Sequence, residues 1–362
     1  MAALLCPTKY GTLPSGEAIE LWTLKGRGGL VVEAITLGGI VTRVLAPERD
    51  GTSANVVLGF DDLESYLAGN SYFGAITGRV AGRIANAGFE LEGRTYPLVK
   101  NDSPNHLHGG VTGFNKRVWA ATPVDRTDGA PSVRLEYSSP DGEEGYPGNV
   151  NVSVTYTVTD DNVFLIETEA TSDRTTPLSL THHSYFNLAG FNLAGDGAES
   201  IADHLLTIYA DRMVSADDNL TPSGQLEPVD EANDFSKPRM LGNAIPALHR
   251  QHGALYRLHE HNEDKLVTAA RVEEPASGRV LTVATTEHYL QLYSGEHLHH
   301  EMRGKFGKPF VQFAGVCLEC EGYPDASNTV MRKEILLQPG QTQRRVTAYA
   351  FTTNGPTDAK AR

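Results

Sequence analysis

Short runs of Val, Ile, Leu, Thr and Tyr recur along the whole chain, divided by clusters of Gly, Pro, Asp and Asn. Apolar runs of this length bounded by turn residues predict strands. The candidates are Ile19 to Leu24, Leu30 to Leu37, Val41 to Leu45, Val133 to Tyr137, Val150 to Thr159, Val163 to Ala170, His204 to Tyr209, Val280 to Ala284, Tyr289 to Tyr293 and Arg345 to Phe351. Helical periodicity is nearly absent. The stretch Asp61 to Leu67 predicts two helical turns, with an acidic start that suits the positive end of the helix dipole. Strands and helices do not alternate, there is no G-x-G-x-x-G or Walker loop, and no repeat with a period of about 20 to 50 residues is present. Doubly wound nucleotide-binding folds, α/β barrels, propellers and solenoids therefore lose support. The expected fold class is all-β, a large antiparallel β-sandwich or barrel.

A length of 362 residues would suggest two domains at about 150 residues each. No Pro/Ser linker or composition break divides the chain, so one domain over residues 1–362 is expected, with the polar tail after Phe351 (TTNGPTDAKAR) frayed. A net charge of −14 repels phosphate backbones and anionic lipid, which argues against nucleic-acid partners. No run approaches the ~18 apolar residues of a membrane span. The start, MAALLCPTKYG, has no basic n-region and no full apolar h-region. Cys6, Cys317 and Cys320 are too few for a disulfide framework, and their scarcity suits a reducing compartment. The expectation is a cytoplasmic protein.

The chemistry is sought first among the 13 histidines, because imidazole gives and takes protons near neutral pH. Eight of them lie between His249 and His300 and read as a scattered surface set. The HLHHE run at His297 to Glu301 matches no zinc spacing, and no metal is expected. In PLSLTHHSYFNL (Pro177 to Leu188), period-2 alternation puts Leu178, Leu180 and His182 on one face and Ser179, Thr181 and His183 on the other. His183 thus belongs to the polar side and becomes the candidate acid/base. In GVCLECEGYPDASN (Gly315 to Asn328), Val316, Leu318 and Cys320 point one way while Cys317, Glu319 and Glu321 point the other. A strand with carboxylates on one face can present a base into a cleft. The same alternation separates the thiols of the lone C-x-x-C, against redox or zinc duty. Two glycine-rich segments add polar groups: GRVAGRIANAGFELEG, with Arg79 and Arg83, and SPNHLHGG, with His106 and His108 before a Gly pair that permits close approach of backbone and ligand.

Taken in order, VVLGF, YFGAITGRVAGRIANAGFELEG, SPNHLHGG, GFNKRVW, SPDGEEGYPGNV, LTHHSYFNLAG, ADRMVSADDNLTPSGQ, ASGRVLTV and GVCLECEGYPDASN resemble the galactose mutarotase (aldose 1-epimerase) family over roughly residues 7 to 352. The resemblance implies a β-supersandwich that interconverts the α and β anomers of a free monosaccharide such as galactose or glucose without a cofactor, as a monomer or homodimer. It places the family's catalytic acid on His183 and its base on Glu319. Its second active-site histidine falls on His108, and its substrate-binding positions fall on Arg83, Tyr185 and Gln291. Anomer exchange opens the hemiacetal: a base takes the C1 hydroxyl proton, an acid protonates the ring oxygen, and reclosure reverses both transfers. An ionised Glu319 beside a protonated His183 requires opposite environments or mutual charge support.

This chain departs from many relatives at Gly82 and His106, changes expected to alter the rim of the site, and at Tyr323, where relatives often have Trp. An aspartate that relatives carry in a Gly-Phe-Asp-His stretch has no counterpart in ALHRQHGALYRLHEHNED, near His252 and Gly253. That absence leaves, beside an active epimerase, a sugar-binding protein without turnover or an epimerase with a shifted sugar preference. An epimerase of a phosphorylated hexose is a separate alternative, which would want extra Arg or Lys near the cleft and finds little support in this acidic chain.

Overall fold

A computed structural model describes residues 5–354 except 70, 192–199, 217–219, 252 and 260–264. His252, His261 and the tail beyond Asn354 lie outside the described residues, while the last strand, Thr342–Thr353, runs past the point where fraying was expected to begin.

Two large antiparallel sheets carry most of the strands. In spatial order the first comprises Thr8–Thr12, Ala18–Lys25, Val31–Ile35, Val41–Pro47, Ser53–Val57, Tyr185–Phe191, Val316–Glu321, Tyr289–Tyr293, Ala254–Arg257, Arg212–Ala216 and Pro222–Pro228. The second comprises Ala120–Pro123, Ser132–Ser139, Val150–Val158, Val163–Ser172, Thr342–Thr353, Arg279–Thr285, Val267–Glu273, Leu205–Ile208 and Arg239–Met240. Every predicted strand overlaps one of these.

Alternation explains how the sheets close on each other. In Val150–Val158 (VNVSVTYTV), Val150, Val152, Val154, Tyr156 and Val158 are all buried in the main core. Val316, Leu318 and Cys320 of the first sheet enter that same core. Each such side chain stabilises the fold by ~1.5–3 kcal/mol when fully buried. Cys317 belongs to a second apolar cluster, so the two thiols of the C-x-x-C do face opposite sides of their strand.

The predicted helix is Leu63–Ala68, and its acidic start acts as a cap: the Asp62 carboxylate accepts from the Ser65 N–H. A second helix, Leu241–Gln251, escaped the periodicity because Gly242 and Pro246 interrupt it. Its buried Leu241, Ala244 and Leu248 nevertheless recur at helical spacing. No described helix is long and apolar enough to cross a membrane.

Candidate active site

A cleft of about 710 Å³ opens on the face of the first sheet turned away from the main core, a size in the usual range of small-molecule sites. His183, Glu319, Arg83, His108, Tyr185 and Gln291, the six site residues expected from the sequence, all line it.

The strand Val316–Glu321 lies between Tyr185–Phe191 and Tyr289–Tyr293, with Gln291 opposite Glu319 and Tyr185 opposite Cys317. Pairing on both edges makes it rigid, and its period of two holds Glu319 in the cleft. His183 arrives differently. Its segment is not one strand but two short ones, Thr176–Pro177 and Thr181–His182, followed by Tyr185–Phe191, and the whole stretch is buried. The polar face expected there is tied to the Glu319 strand: Thr181 Oγ1 donates to the Cys320 carbonyl, and Ser179 Oγ accepts from the Gly322 N–H, each at 2.9 Å. His182 turns into the core against Tyr156, Phe164 and Tyr349, whereas the His183 ring stacks on Tyr185 and Tyr72.

His183 Nε2 lies 3.6 Å from Glu319 Oε2, too far for a hydrogen bond, so the pair does not consume its own valences. Desolvation pushes the His183 ionisation down to about 4 and raises that of Glu319 to about 8, against a lowering pull from Arg83. These directions differ from an ionised Glu319 beside a protonated His183. Both groups sit on the floor of the cleft away from water, and burial favours the neutral form of each. The proton count is unchanged, because the pair still holds one proton at neutral pH. Burial also keeps the Cys317 thiol protonated. Cys317 Sγ lies 3.6 Å from His183 Nδ1. A neutral ring with its proton on Nδ1, beside this weakly accepting sulfur, leaves the Nε2 lone pair turned to Glu319 and the cleft, where it can take up and return a proton.

Two pairs of like residues are separated by the fold. Arg83 lines the cleft with its Nε 2.6 Å from Asp102 Oδ2, and its terminal amino groups have no protein partner among the described residues. Arg79, by contrast, is 2% exposed and spends its guanidinium on Ser139, Pro140 and Pro147. It holds a loop and does not reach the cleft. His108 lines the cleft while His106 is fully buried, donating from Nδ1 to the Val99 carbonyl. His106 is therefore not a rim residue. The Gly pair after His108 serves the protein's own backbone rather than a ligand: a Cβ on Gly109 would fall 1.7 Å from the Gly78 carbonyl oxygen.

One nitrogen each of His108 and His183 and one oxygen of Glu319 lie within 4.8 Å of one another, a donor set that zinc can use. The Gly82 N–H, however, donates to His108 Nδ1 at 3.1 Å. Burial, then His183 and Arg83, keep that ring neutral, so its proton sits on Nε2. The ring offers an N–H donor, suited to a sugar oxygen and of the wrong polarity for a cation.

At the place where the family aspartate was missed stands Gly253, with φ +100°. A Cβ there would lie 2.4 Å from the Leu292 carbonyl oxygen and 2.7 Å from Gln291 Nε2, so this backbone admits no side chain. Exposed Glu227 and Asp230 line the cleft from a different part of the chain. Sequence reasoning also missed Tyr72, Tyr293, Glu296 and His297. Tyr72 lay within a quoted block and Tyr293 within a predicted strand, but nothing marked either as facing the site. His297 belongs to the histidine set read as surface, and His288 of that set is buried. Tyr323 is buried beside Tyr289, and its hydroxyl accepts from the Gly224 N–H.

A polar cleft with a one-proton carboxyl–imidazole pair, one arginine and flanking tyrosines defines a class: acid/base enzymes that act on small hydroxylated ligands. The aldose 1-epimerase family model matches residues 20–350. The chain is 42% identical to the galactose mutarotase of Rattus norvegicus over 95% of its own length and 98% of the relative's. It is 33% identical to the aldose 1-epimerase of Escherichia coli over 93% and 96%. Among solved structures, the epimerase homologue from C. elegans superposes with a TM-score of 0.83 at 26% identity, covering 93% of this chain and 99% of that one. This chain belongs to the aldose 1-epimerase family.

Proposed function

We propose that the protein is an aldose 1-epimerase that interconverts the anomers of a free aldose, galactose or glucose first, at the Glu319–His183 pair. The observation that carries this reading is the 3.6 Å separation of two buried, oppositely shifted groups in a sugar-sized cleft. The C1 hydroxyl and the ring oxygen are bonded to the same carbon, so groups this close can each address one of them. In the empty cleft the shared proton rests on Glu319. A hydroxyl-bearing ring between the two groups, with Arg83 beside the carboxylate, supplies the hydrogen bonds that let it pass to His183.

Glu319 then takes the C1 hydroxyl proton as His183 protonates the ring oxygen. The C1–O5 bond breaks, C1 becomes a carbonyl, and rotation about C1–C2 exposes its other face. Reclosure returns both protons. His108 Nε2–H and the free amino groups of Arg83 donate to the sugar oxygens, with Tyr185 and Gln291 at the walls. The scarcity of cysteine supports a cytoplasmic setting, all three thiols being free.

Polarimetry with fresh α-D-glucose and α-D-galactose tests the activity: rotation should decay many times faster than in buffer. Decay at the buffer rate with calorimetric sugar binding would leave only a binding protein. Glucose 6-phosphate in the same assay should be the poorer substrate, because the exposed carboxyls of Glu227 and Asp230 line the cleft against one arginine.

The pH profile follows from the single proton. Below about 4, His183 takes up a second proton and no group remains to accept one. Above about 8, Glu319 loses the only proton and none remains for the ring oxygen. kcat/KM should therefore form a broad bell falling on both sides, with limbs that belong to the pair. A monotonic profile between these limits would contradict the one-proton site.

A further inference from the structure

The strand Val316–Glu321 directs two carboxyls to the cleft, and the chemistry above uses only Glu319. Glu321 is 1% exposed yet lines the cavity, and its Oε2 has no hydrogen-bond partner among the described residues. Its Oε1 lies 3.5 Å from the position that a Cβ on Gly82 would occupy, a point that the Pro324 side chain already crowds at 2.5 Å, and Gly82, Pro324 and Glu321 together line this part of the cleft. An unpartnered buried polar atom is costly to hold, and the cost is relieved when a ligand supplies the missing partner. Burial, then Glu319 and Glu287, raise the ionisation of Glu321 well above the carboxylate range, so the group is a neutral acid able both to donate and to accept. A neutral acid suits a sugar hydroxyl, which also does both.

We infer that Glu321 is a substrate-binding residue of this site, its buried carboxyl completing its hydrogen bonds with one ring hydroxyl other than that on C1. The inference rests on the aldose 1-epimerase reading, so the experiment reads both. Wild type, Glu321→Met and Glu321→Gln are compared on galactose and its 2-, 3-, 4- and 6-deoxy derivatives, by polarimetry for kcat/KM and by calorimetry for Kd. The Met variant keeps the length of the side chain without its hydrogen bonds. It should lose ~10-fold in kcat/KM, mostly through KM, the amount that one hydrogen bond to a ligand supplies. The amide of Glu321→Gln, which donates and accepts, should restore most of the loss.

For one deoxy sugar, the penalty seen in wild type should vanish in the Met variant, marking the hydroxyl that the carboxyl binds. Penalties that multiply for every deoxy sugar, or a Met variant within twofold of wild type, overturn the inference while leaving the epimerase reading intact. A wild type that binds sugar without turning it over sinks the epimerase reading alone, and the same coupling is then read in Kd. Circular dichroism and thermal melts confirm that each variant is folded before its kinetics are used.

Discussion

Glu319→Gln is expected to lower kcat for anomer exchange by ~10²- to 10⁴-fold, the range that one positioned proton carrier contributes. The amide keeps the shape and a hydrogen-bonding oxygen but can neither take the C1 hydroxyl proton nor return it. KM should move little, since Arg83, His108 and Gln291 still line the cleft. The variant should also be no less stable than wild type at neutral pH. The reason is linkage: the Glu319 ionisation is raised in the folded protein to about 8, so its contribution is fully present below the unfolded carboxyl pKa and is lost as pH rises towards 8. An amide carries no such cost, and the melting temperature of Glu319→Gln should equal or exceed that of wild type at pH 7 to 8. A folded variant with near-normal turnover would remove Glu319 from the mechanism.

His183→Asn should cost at least ~10²-fold in turnover on the same grounds, with a diagnostic change in pH dependence. The acid limb of the bell, which reports the second protonation of the pair, should disappear. The alkaline limb, which reports loss of the proton held by Glu319, should persist in the residual activity. An acid limb that survives in His183→Asn would show that another group gives rise to it, and His108, whose ionisation is depressed even in the free cleft, is then the next candidate. The gap left between Tyr72 and Tyr185 by the smaller amide makes a modest fall in melting temperature expected.

How much of this site could be read from residue order varied with the kind of backbone that carries each group. Glu319 sits on a regular six-residue strand paired on both edges, where alternation dictates facing, and the expectation held. His183 faced the expected way, although its segment is broken into short pieces and both of its faces are buried. Alternation could not tell Arg79 from Arg83 or His106 from His108; only the family resemblance singled out Arg83 and His108, the two that line the cleft. All four sit where positive-φ residues such as Gly82 and Gly109 and two-residue strands set direction, and no period survives such turns. The missing aspartate was visible as a gap near His252 and Gly253. That the Gly253 backbone excludes any side chain, and that Glu227 and Asp230 line the cleft instead, was not.

The order of apolar and polar positions was sufficient to establish a β-rich chain, the inward and outward residues of its strands, and the two residue types that can trade a proton. It did so because period and ionisable chemistry are local properties. Bringing positions 183 and 319 to 3.6 Å, withdrawing both from water so that their ionisations move apart, and leaving the Glu321 carboxyl unpaired beside them all required the sheets to assemble. Desolvation depends on everything packed around a group, and no stretch of chain carries that information by itself.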